Sequence, residues 1–543
     1  MSLIQVQDLT FRYDNNPQLI FDHASFALDT RWKLGLIGRN GRGKTTLLHL
    51  LDGSLPSGGA IQASVSFTYF PFPVADPQQS AGRLIKDTIA PFSRWEEEMQ
   101  ALLEDGSPAA LDQYALVLEQ YCQQDGYTID EALCAEVGKL GVDVAVLDRP
   151  WQTLSGGEQV KCMLAGLFLK KNHFLLIDEP TNHLDADGRR RMAQYLKSKS
   201  GFILVSHDRA FLDEIVDHVL SINRSTIQVQ RGNYSSWQQN KDQEDQAQLL
   251  QNQKLRQDIA RLQEASRRAA GWSEQVEARK CGTRNSGLRP DRGYLGHQSA
   301  RLMARAKAFE ARQEKAIQEK SQLLQDLEQS APLKLHLLPP PKKRLLEVRD
   351  FTLLRDGQPL FAPVTFSVFA GDRVQLCGPN GCGKTSLLRA LLGEELPFAS
   401  SGSLTRCPGL VCSTIPQQTH SLRGSFLDFA ADQGIDPTLF LTILRKLDLR
   451  REVFSSDLSQ LSEGQKKKVL LSASLCRAAH LFVWDEPLNF IDLLSRRQME
   501  QLVQEQQPTL LFVEHDALFS QTVATQTVRL SPAGDVSSPS RIG

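Results

Sequence analysis

Apolar residues alternate with polar ones at Ile4, Val6, Phe26 and Leu28, and Asp14, Asn15, Asn16 and Pro17 interrupt the pattern; a period of two broken by a turn predicts antiparallel strands. The runs Leu34–Leu36–Ile37, Phe174 to Ile177 and Phe202 to Val205 are continuously apolar, as strands buried on both faces require. From about Ile85 to Leu147 the period changes to helical, through Trp95, Met99, Leu102 and Leu103 and then Leu111, Tyr114, Leu118 and Tyr121. Two further helical stripes follow, one at Leu255, Ile259, Leu262 and Ala269, the other at Leu302, Ala306, Phe309, Ala316 and Leu323. Gly271, Gly282, Gly287, Pro290, Gly293 and Gly296 lie between them, predicting an antiparallel two-helix hairpin whose arms of about thirty residues each span about 45 Å.

Chemistry enters where the first buried strand ends. Gly38, Arg39, Asn40, Gly41, Arg42, Gly43, Lys44 and Thr45 form a glycine-rich loop ahead of the helix-like Thr46, Leu47 and Leu48. Such a loop converges backbone N–H groups on an anion, and the next helix aims its positive end at it. Lys44 supplies charge for the β/γ-phosphates of a nucleotide, and the Thr45 hydroxyl is a Mg²⁺ ligand. The loop recurs as Gly378, Pro379, Asn380, Gly381, Cys382, Gly383, Lys384 and Thr385, with Ser386 opening the helix. Residues 154–159 read LSGGEQ, where Ser155 caps a helix and Gly156 and Gly157 expose its N-terminus. The strand Phe174 to Ile177 ends in Asp178, placed to hold Mg²⁺, and Glu179, placed to orient or deprotonate attacking water. The next strand ends in His207, which would face a γ-phosphate. Tyr13 reads equally as a stacking platform for adenine and as a core aromatic.

The second half restates the first. Ser462, Asp485 and His515 follow Ser155, Asp178 and His207 by 307, 307 and 308 residues, whereas Lys384 follows Lys44 by 340. The surplus of 33 in the first copy falls in the helical stretch 85–147. The second copy departs in places: its signature is LSEGQ (Leu461 to Gln465), residue 355 is Arg opposite Tyr13, and Gln417 stands opposite Phe72.

A chain of 543 residues needs at least two cores. Nothing approaches the eighteen or so apolar residues of a membrane span, and the first residues lack a signal-peptide pattern. Nine cysteines without a CxxC pair point to reduced thiols. Lys plus Arg is 62 and Asp plus Glu 63, yet residues 267–312 hold eleven basic against four acidic residues. Trp272, Tyr294 and His297 are interspersed among Arg279, Lys280, Arg284, Arg289 and Arg292, the composition of an RNA-contact surface.

The order of blocks, phosphate loop, LSGGEQ, LLIDEP, D-loop and switch histidine, resembles the ATP-binding-cassette superfamily, and DEPTNHLD (Asp178 to Asp185) resembles its ABC-F group. The resemblance implies an α/β fold of two tandem ABC-type P-loop ATPase cassettes joined by a long α-helical hairpin linker. Cassette 1 would span 1–238 with a helical arm at 85–147, the linker 239–335 with its tip at 271–297, and cassette 2 336–530, leaving 531–543 as a disordered tail. It implies ATP and Mg²⁺ as cofactors, with Glu179, Glu486, His207 and His515 catalytic, Tyr13 on the base, and Thr45, Asp178, Thr385, Gln417 and Asp485 at the metal. Cassettes of this superfamily pair head to tail, so the first loop would meet Ser462, Gly464 and Gln465, and the second Ser155, Gly156, Gly157 and Gln159. Glu463 of LSEGQ then puts a carboxylate where the first γ-phosphate docks.

The segments GWSEQVEARK (271–280) and DRGYLGHQSARLMARAKAFEARQ (291–313) resemble the linker of antibiotic-resistance ABC-F proteins of Gram-positive-type bacteria. That implies a cytoplasmic monomer with intramolecular cassette pairing, without DNA or a membrane subunit as partner. It would enter the ribosomal exit site, touch 23S rRNA and P-site tRNA, and counteract drugs at the peptidyl-transferase centre. Two readings stay open beside it: a housekeeping ABC-F translation factor, and a tandem ATPase subunit of a transporter.

Overall fold

The computed structural model describes residues 3–13, 19–56, 58–74, 76–182, 184–223, 227–281, 312, 315, 332–355, 357–379, 381–419, 422–531 and 540–541. The chain divides into two units, one of Met1–Ser235 with Ser330–Gly543, the other Ser236–Gln329. Both cassettes therefore belong to one compact body.

In the first cassette β1 (Leu3–Phe11), β2 (Phe21–Asp29), β3 (Lys33–Ile37), α1 (Lys44–Leu51), β4 (Gly58–Gln62) and β5 (Ser66–Phe70) come first. The helices α2 (Ala81–Ile89), α3 (Phe92–Asp105), α4 (Pro108–Gln123) and α5 (Ile129–Lys139) follow, where helical periodicity predicts them. Then come α6 (Gly156–Leu167), β6 (His173–Asp178), α7 (Ala186–Ser198), β7 (Phe202–Val205), α8 (Arg209–Ile215), β8 (His218–Ile222), β9 (Ile227–Arg231) and α9 (Tyr234–Cys281). As the alternation requires, β1 pairs antiparallel with β2 and β4.

The apolar runs form a six-stranded sheet in the order β5-β6-β7-β3-β8-β9, parallel except for β9. Because β6, β7 and β3 are neighbours, the loops leaving their carboxyl ends meet at one edge, where open α/β sheets bind ligands. Those loops carry Asp178 and Glu179, His207, and the glycine-rich cradle. Phe174, Leu176, Ile203 and Val205 pack under Leu47 and Leu48 of α1, fixing the helix that follows the cradle.

The second cassette repeats the sheet as Cys412–Ile415, Leu481–Asp485, Leu510–Val513, Arg373–Cys377, Gln526–Arg529 and Ser540–Arg541. The last strand corrects the expectation of a disordered 531–543. Ser540–Arg541 pairs antiparallel with Gln526 and Thr527, since an edge strand offers unpaired backbone groups to any segment that reaches it. The rest of that tail, 532–539 and 542–543, lies outside the described residues.

The expected hairpin geometry is corrected too. α9 runs unbroken for 48 residues, through Gly271, so it is about 72 Å long at the helical rise and no turn begins at 271. One glycine inside a long helix costs about 1 kcal/mol, too little to break it. No helix among the described residues is long and apolar enough to cross a membrane. The eight cysteines whose side chains are described are free thiols.

The surplus 33 residues accommodate the α3–α4 hairpin. Its root is Phe92, fully buried, packed edge-on against Trp95 and Tyr121, while Lys86 of α2 reaches Glu96 at 2.9 Å and Asp130 at 3.1 Å. On α5, Glu136 accepts from Tyr195 Oη at 2.5 Å, Lys199 Nζ at 2.5 Å and Lys139 Nζ at 2.7 Å. Burial works to raise the Glu136 carboxyl, but these donors outweigh it and hold the carboxyl down to about 2. Stability from a depressed carboxylate is full above its ordinary value of 4.5 and is lost as pH falls toward about 2. Glu136→Gln is therefore expected to cost about 1–3 kcal/mol at neutral pH, read as a lower Tm. The gap to wild type should close as the melts are repeated at falling pH; a pH-independent gap would assign the loss to packing.

Candidate functional site

Each cradle is built as its sequence requires. Gly43 sits at φ 88°, and a Cβ there would meet Ile20 Cγ2 at 2.6 Å, so only glycine fits the last turn before α1. Lys44 Nζ donates to Gly38 O at 2.7 Å, Arg39 O at 3.3 Å and Asn40 Oδ1 at 3.2 Å, curling back over the loop it would share with phosphate. Lys384 Nζ does the same to Gly378 O and Pro379 O, both at 2.9 Å. Thr45 Oγ1 donates to Asp178 Oδ2 at 2.8 Å, bringing together the two residues expected at the metal. Tyr13 is 43% exposed, stands edge-on to Phe11 at 5.0 Å and hydrogen-bonds Thr46 Oγ1 at 3.0 Å. It flanks the cradle with its ring partly exposed, a position open to a base.

The second cradle faces the first cassette's signature. A cleft of about 740 Å³ is lined by Gly381, Gly383, Lys384, Thr385, Ser386, Gln417, Glu486 and His515 on one wall and by Ser155, Gly156 and Gly157 on the other. Glu158, Lys161, Asn182, Leu184, Asp185, Arg189 and Asn489 complete it. That volume suits a nucleotide-sized ligand. Ser155 caps α6 in a capping box with Glu158, so the exposed helix end points into the cleft.

The first cradle meets the second cassette more tightly. Asn40 Nδ2 donates to Phe490 O at 2.9 Å, and a Cβ on Gly464 would lie 2.6 Å from that oxygen and 3.1 Å from Asn40 Nδ2. Gly464 thus reaches the first loop. Arg39 pairs with Asp448 at 3.4 Å, and Arg450 donates to Gly41 O at 3.5 Å. Glu463 does not project a free carboxylate here. It accepts from Thr419 Oγ1 and pairs with Lys466 at 3.1 Å, within its own cassette.

Gln159 is placed differently from the expectation. Its amide donates to Trp151 O at 3.2 Å and Leu154 O at 3.4 Å, inside its own cassette. The residue matching Gln465 is Glu158: each is the third helical residue and closes a capping box, with Ser462 and Ser155 respectively. Counting from the serine rather than matching glutamines would have found this.

The two acid pairs differ electrostatically. Burial, and then Asp178, push the Glu179 carboxyl up to about 8; His207 Nε2 lies 3.3 Å from Glu179 Oε1, which has no aligned hydrogen bond. His207 itself is held well below its ordinary value by burial, Lys44 and Arg496, so it is neutral. In the second site burial works to raise Glu486, but hydrogen bonds to His515 and Gln417 outweigh it and keep Glu486 below its ordinary range. Asn489 Nδ2 also donates to Glu486 Oε2 at 2.5 Å, and His515 Nε2 is 3.5 Å from Oε1. Burial foremost raises Asp485 to about 6.

Mg²⁺ fits the donor set. Asp485 Oδ1 is buried without a hydrogen-bond partner, and Thr385 Oγ1 donates to Gln417 Oε1 at 3.4 Å beside it. Hard oxygen ligands of this kind, completed by phosphate and water, suit magnesium. Opposite Gln417 the first cassette has Phe72, and Tyr69 Oη donates to Asp178 Oδ2 at 3.1 Å instead, a contact that strand periodicity hides because Tyr69 reads as core. Asn380, Arg284, Arg289, Arg292, Tyr294 and His297 lie outside the described residues. Trp272, Arg279 and Lys280 lie on α9, which is described in backbone only there.

The family model described as "ABC transporter" matches residues 21–182 and 361–489, one stretch in each half. The chain is 27% identical over 529 residues to "Ribosome protection protein VmlR" of Bacillus subtilis (strain 168), covering 96% of this chain and 86% of that protein. It is also 27% identical to "Erythromycin resistance ATP-binding protein MsrA" of Staphylococcus epidermidis, covering 92% of each. Among solved structures, the complex of archaeal ribosomal stalk protein aP1 and archaeal ribosome recycling factor aABCE1 matches with a TM-score of 0.52 at 18% identity, over 96% of this chain and 87% of that one, a likeness of fold.

Proposed function

The chain belongs to the ABC transporter family, in its ABC-F branch, and on that premise we propose that it is a ribosome-associated ATPase that protects the peptidyl-transferase centre from antibiotics. It hydrolyses ATP; the proposal concerns what hydrolysis controls. The observation that carries it is the composite cleft, whose walls come from both cassettes, so that a γ-phosphate held between Lys384 and the Ser155 helix end bonds one cassette to the other. ATP has differential affinity for the closed arrangement, and ADP, lacking that phosphate, does not. Mg²⁺, held by Thr385, Gln417 and Asp485 in one site and Thr45 and Asp178 in the other, would neutralise phosphate charge when bound. Glu486, ionised and oriented by Asn489, takes the proton from the water that attacks the γ-phosphorus in line, and His515 holds the carboxylate from its other side.

The ribosome as partner is supported by the relatives' names and by the basic excess at 267–312. Arg279, Lys280, Arg284, Arg289 and Arg292 would pair with phosphates of 23S rRNA or P-site tRNA, with Trp272, Tyr294 and His297 stacking on bases. Linker 239–335, the cytoplasmic setting and an intramolecular, monomeric pairing of cassettes are parts of the same proposal. Expression in a drug-sensitive host tests it. Inhibitory concentrations should rise for at least one of lincosamides, pleuromutilins, streptogramins A, phenicols and oxazolidinones, and the triple neutralisation of Arg279, Lys280 and Arg284 should abolish the rise. No rise for any drug would leave the housekeeping reading.

A further inference from the structure

Behind the second site lie two buried charges that the hydrolysis described above does not use. Lys467, 1% exposed, donates from Nζ to Pro416 O at 3.0 Å and to Asp485 O at 3.1 Å. Glu514, 5% exposed, accepts from Leu488 N at 2.7 Å on Oε1 and from His515 N at 3.0 Å on Oε2. Its own carbonyl accepts from Gln375 Nε2 at 3.2 Å, which also donates to Ser520 Oγ at 2.8 Å.

The bonds made by the Lys467 ammonium and the Glu514 carboxylate each end on a backbone group of, or next to, a working residue. Pro416 precedes Gln417, Asp485 precedes Glu486, Leu488 precedes Asn489, and His515 is bonded directly. These four stand on three loops at the sheet edge, with Glu486 and Asn489 sharing one, and loops otherwise move independently. In the repeat the first cassette has Val160 opposite Lys467, Ser206 opposite Glu514 and Gly35 opposite Gln375, so it holds none of this. Ser206 Oγ there accepts from Asp208 N at 3.1 Å and hydrogen-bonds Thr181 Oγ1 at 3.4 Å.

We propose that Lys467 and Glu514 are positioning residues of the second ATP site, a pair of opposite buried charges that fixes Gln417, Glu486, Asn489 and His515 in one frame and is absent from the first site. A buried ammonium and a buried carboxylate are costly unless satisfied, and here each is held by two hydrogen bonds to backbone groups. The frame holds the general base and the residues around it within the tolerance that in-line attack requires, where a 1 Å misplacement costs about 10²-fold in rate. The inference rests on the second site being competent in hydrolysis.

The test uses the full chain carrying Glu179→Gln, so that turnover reports the second site, and replaces the pair together by the first cassette's residues, Lys467→Val with Glu514→Ser. The expected result is a fall in kcat of at least about 10-fold with KM for ATP within about 3-fold, because the groups that bind phosphate are untouched. Lys467→Met, which keeps volume and loses charge, should show the same split if the double variant does not fold. Unchanged kcat per ATP-binding site, or a loss of turnover no larger than the loss of bound ATP, would overturn the inference alone. Absence of turnover in the Glu179→Gln parent would overturn the reading of a competent second site, and this inference with it.

Discussion

Glu486→Gln lowers steady-state ATP turnover by about 10²-fold or more, whereas Glu179→Gln changes it by less than about 2-fold. Both residues end equivalent strands and both face a histidine, at 3.5 Å and 3.3 Å. The difference is their charge. Hydrogen bonds to His515 and Gln417 keep Glu486 ionised against burial, so it can accept a proton; burial beside Asp178 pushes Glu179 up to about 8, so near neutral pH it already carries one. A carboxyl raised this far becomes a base only as pH climbs through its shifted value. The residual turnover of Glu486→Gln should therefore rise between about pH 7 and about pH 9, while that of Glu179→Gln stays flat. Steady-state assays across that range check both, and equal losses in the two variants would show that the sites share the work.

Arg209→Ala is expected to cost about 3–5 kcal/mol in the stability of the paired cassettes, because it strands a buried carboxylate. Arg209 of the first cassette donates to both oxygens of Glu500 in the second, from Nη1 at 3.0 Å and more closely from Nη2, with Asp516 at 3.7 Å. The repeat-related positions are Ala517 and Ala193, so the bond exists once. Burial works to lower the Arg209 pKa, and Glu500 and Asp516 outweigh it. Adding Glu500→Ala to Arg209→Ala should recover part of the loss, since no charge is then left unpaired. Denaturant unfolding of the two single variants and the double variant measures the coupling; additive losses would mean that the pair is not acting as one.

The fold was legible wherever one period dominated. Three apolar runs gave the central strands, and the repeat of Lys44, Ser155, Asp178 and His207 as Lys384, Ser462, Asp485 and His515 located both sites, because phosphate chemistry restricts residue type and spacing. Helix α9 was misread at Gly271 because a glycine signals a break whose cost a long helix absorbs. Gln159 was misplaced because its letter matched Gln465, while the cap geometry counts from the serine. Tyr69, Lys467 and Glu514 left no local signal: each works through a contact across the sheet edge that only the folded chain supplies. Glu463 was misjudged for the same reason, since Thr419 and Lys466 become its neighbours only on folding.

The most direct test of a nucleotide-driven clamp that acts on the ribosome is sedimentation of the Glu179→Gln/Glu486→Gln variant with purified ribosomes. With ATP the double variant should pellet with them in near-equal amounts, and with ADP or no nucleotide it should stay in the supernatant. Recovery free of ribosomes in ATP, or equal pelleting in all three conditions, would contradict the account.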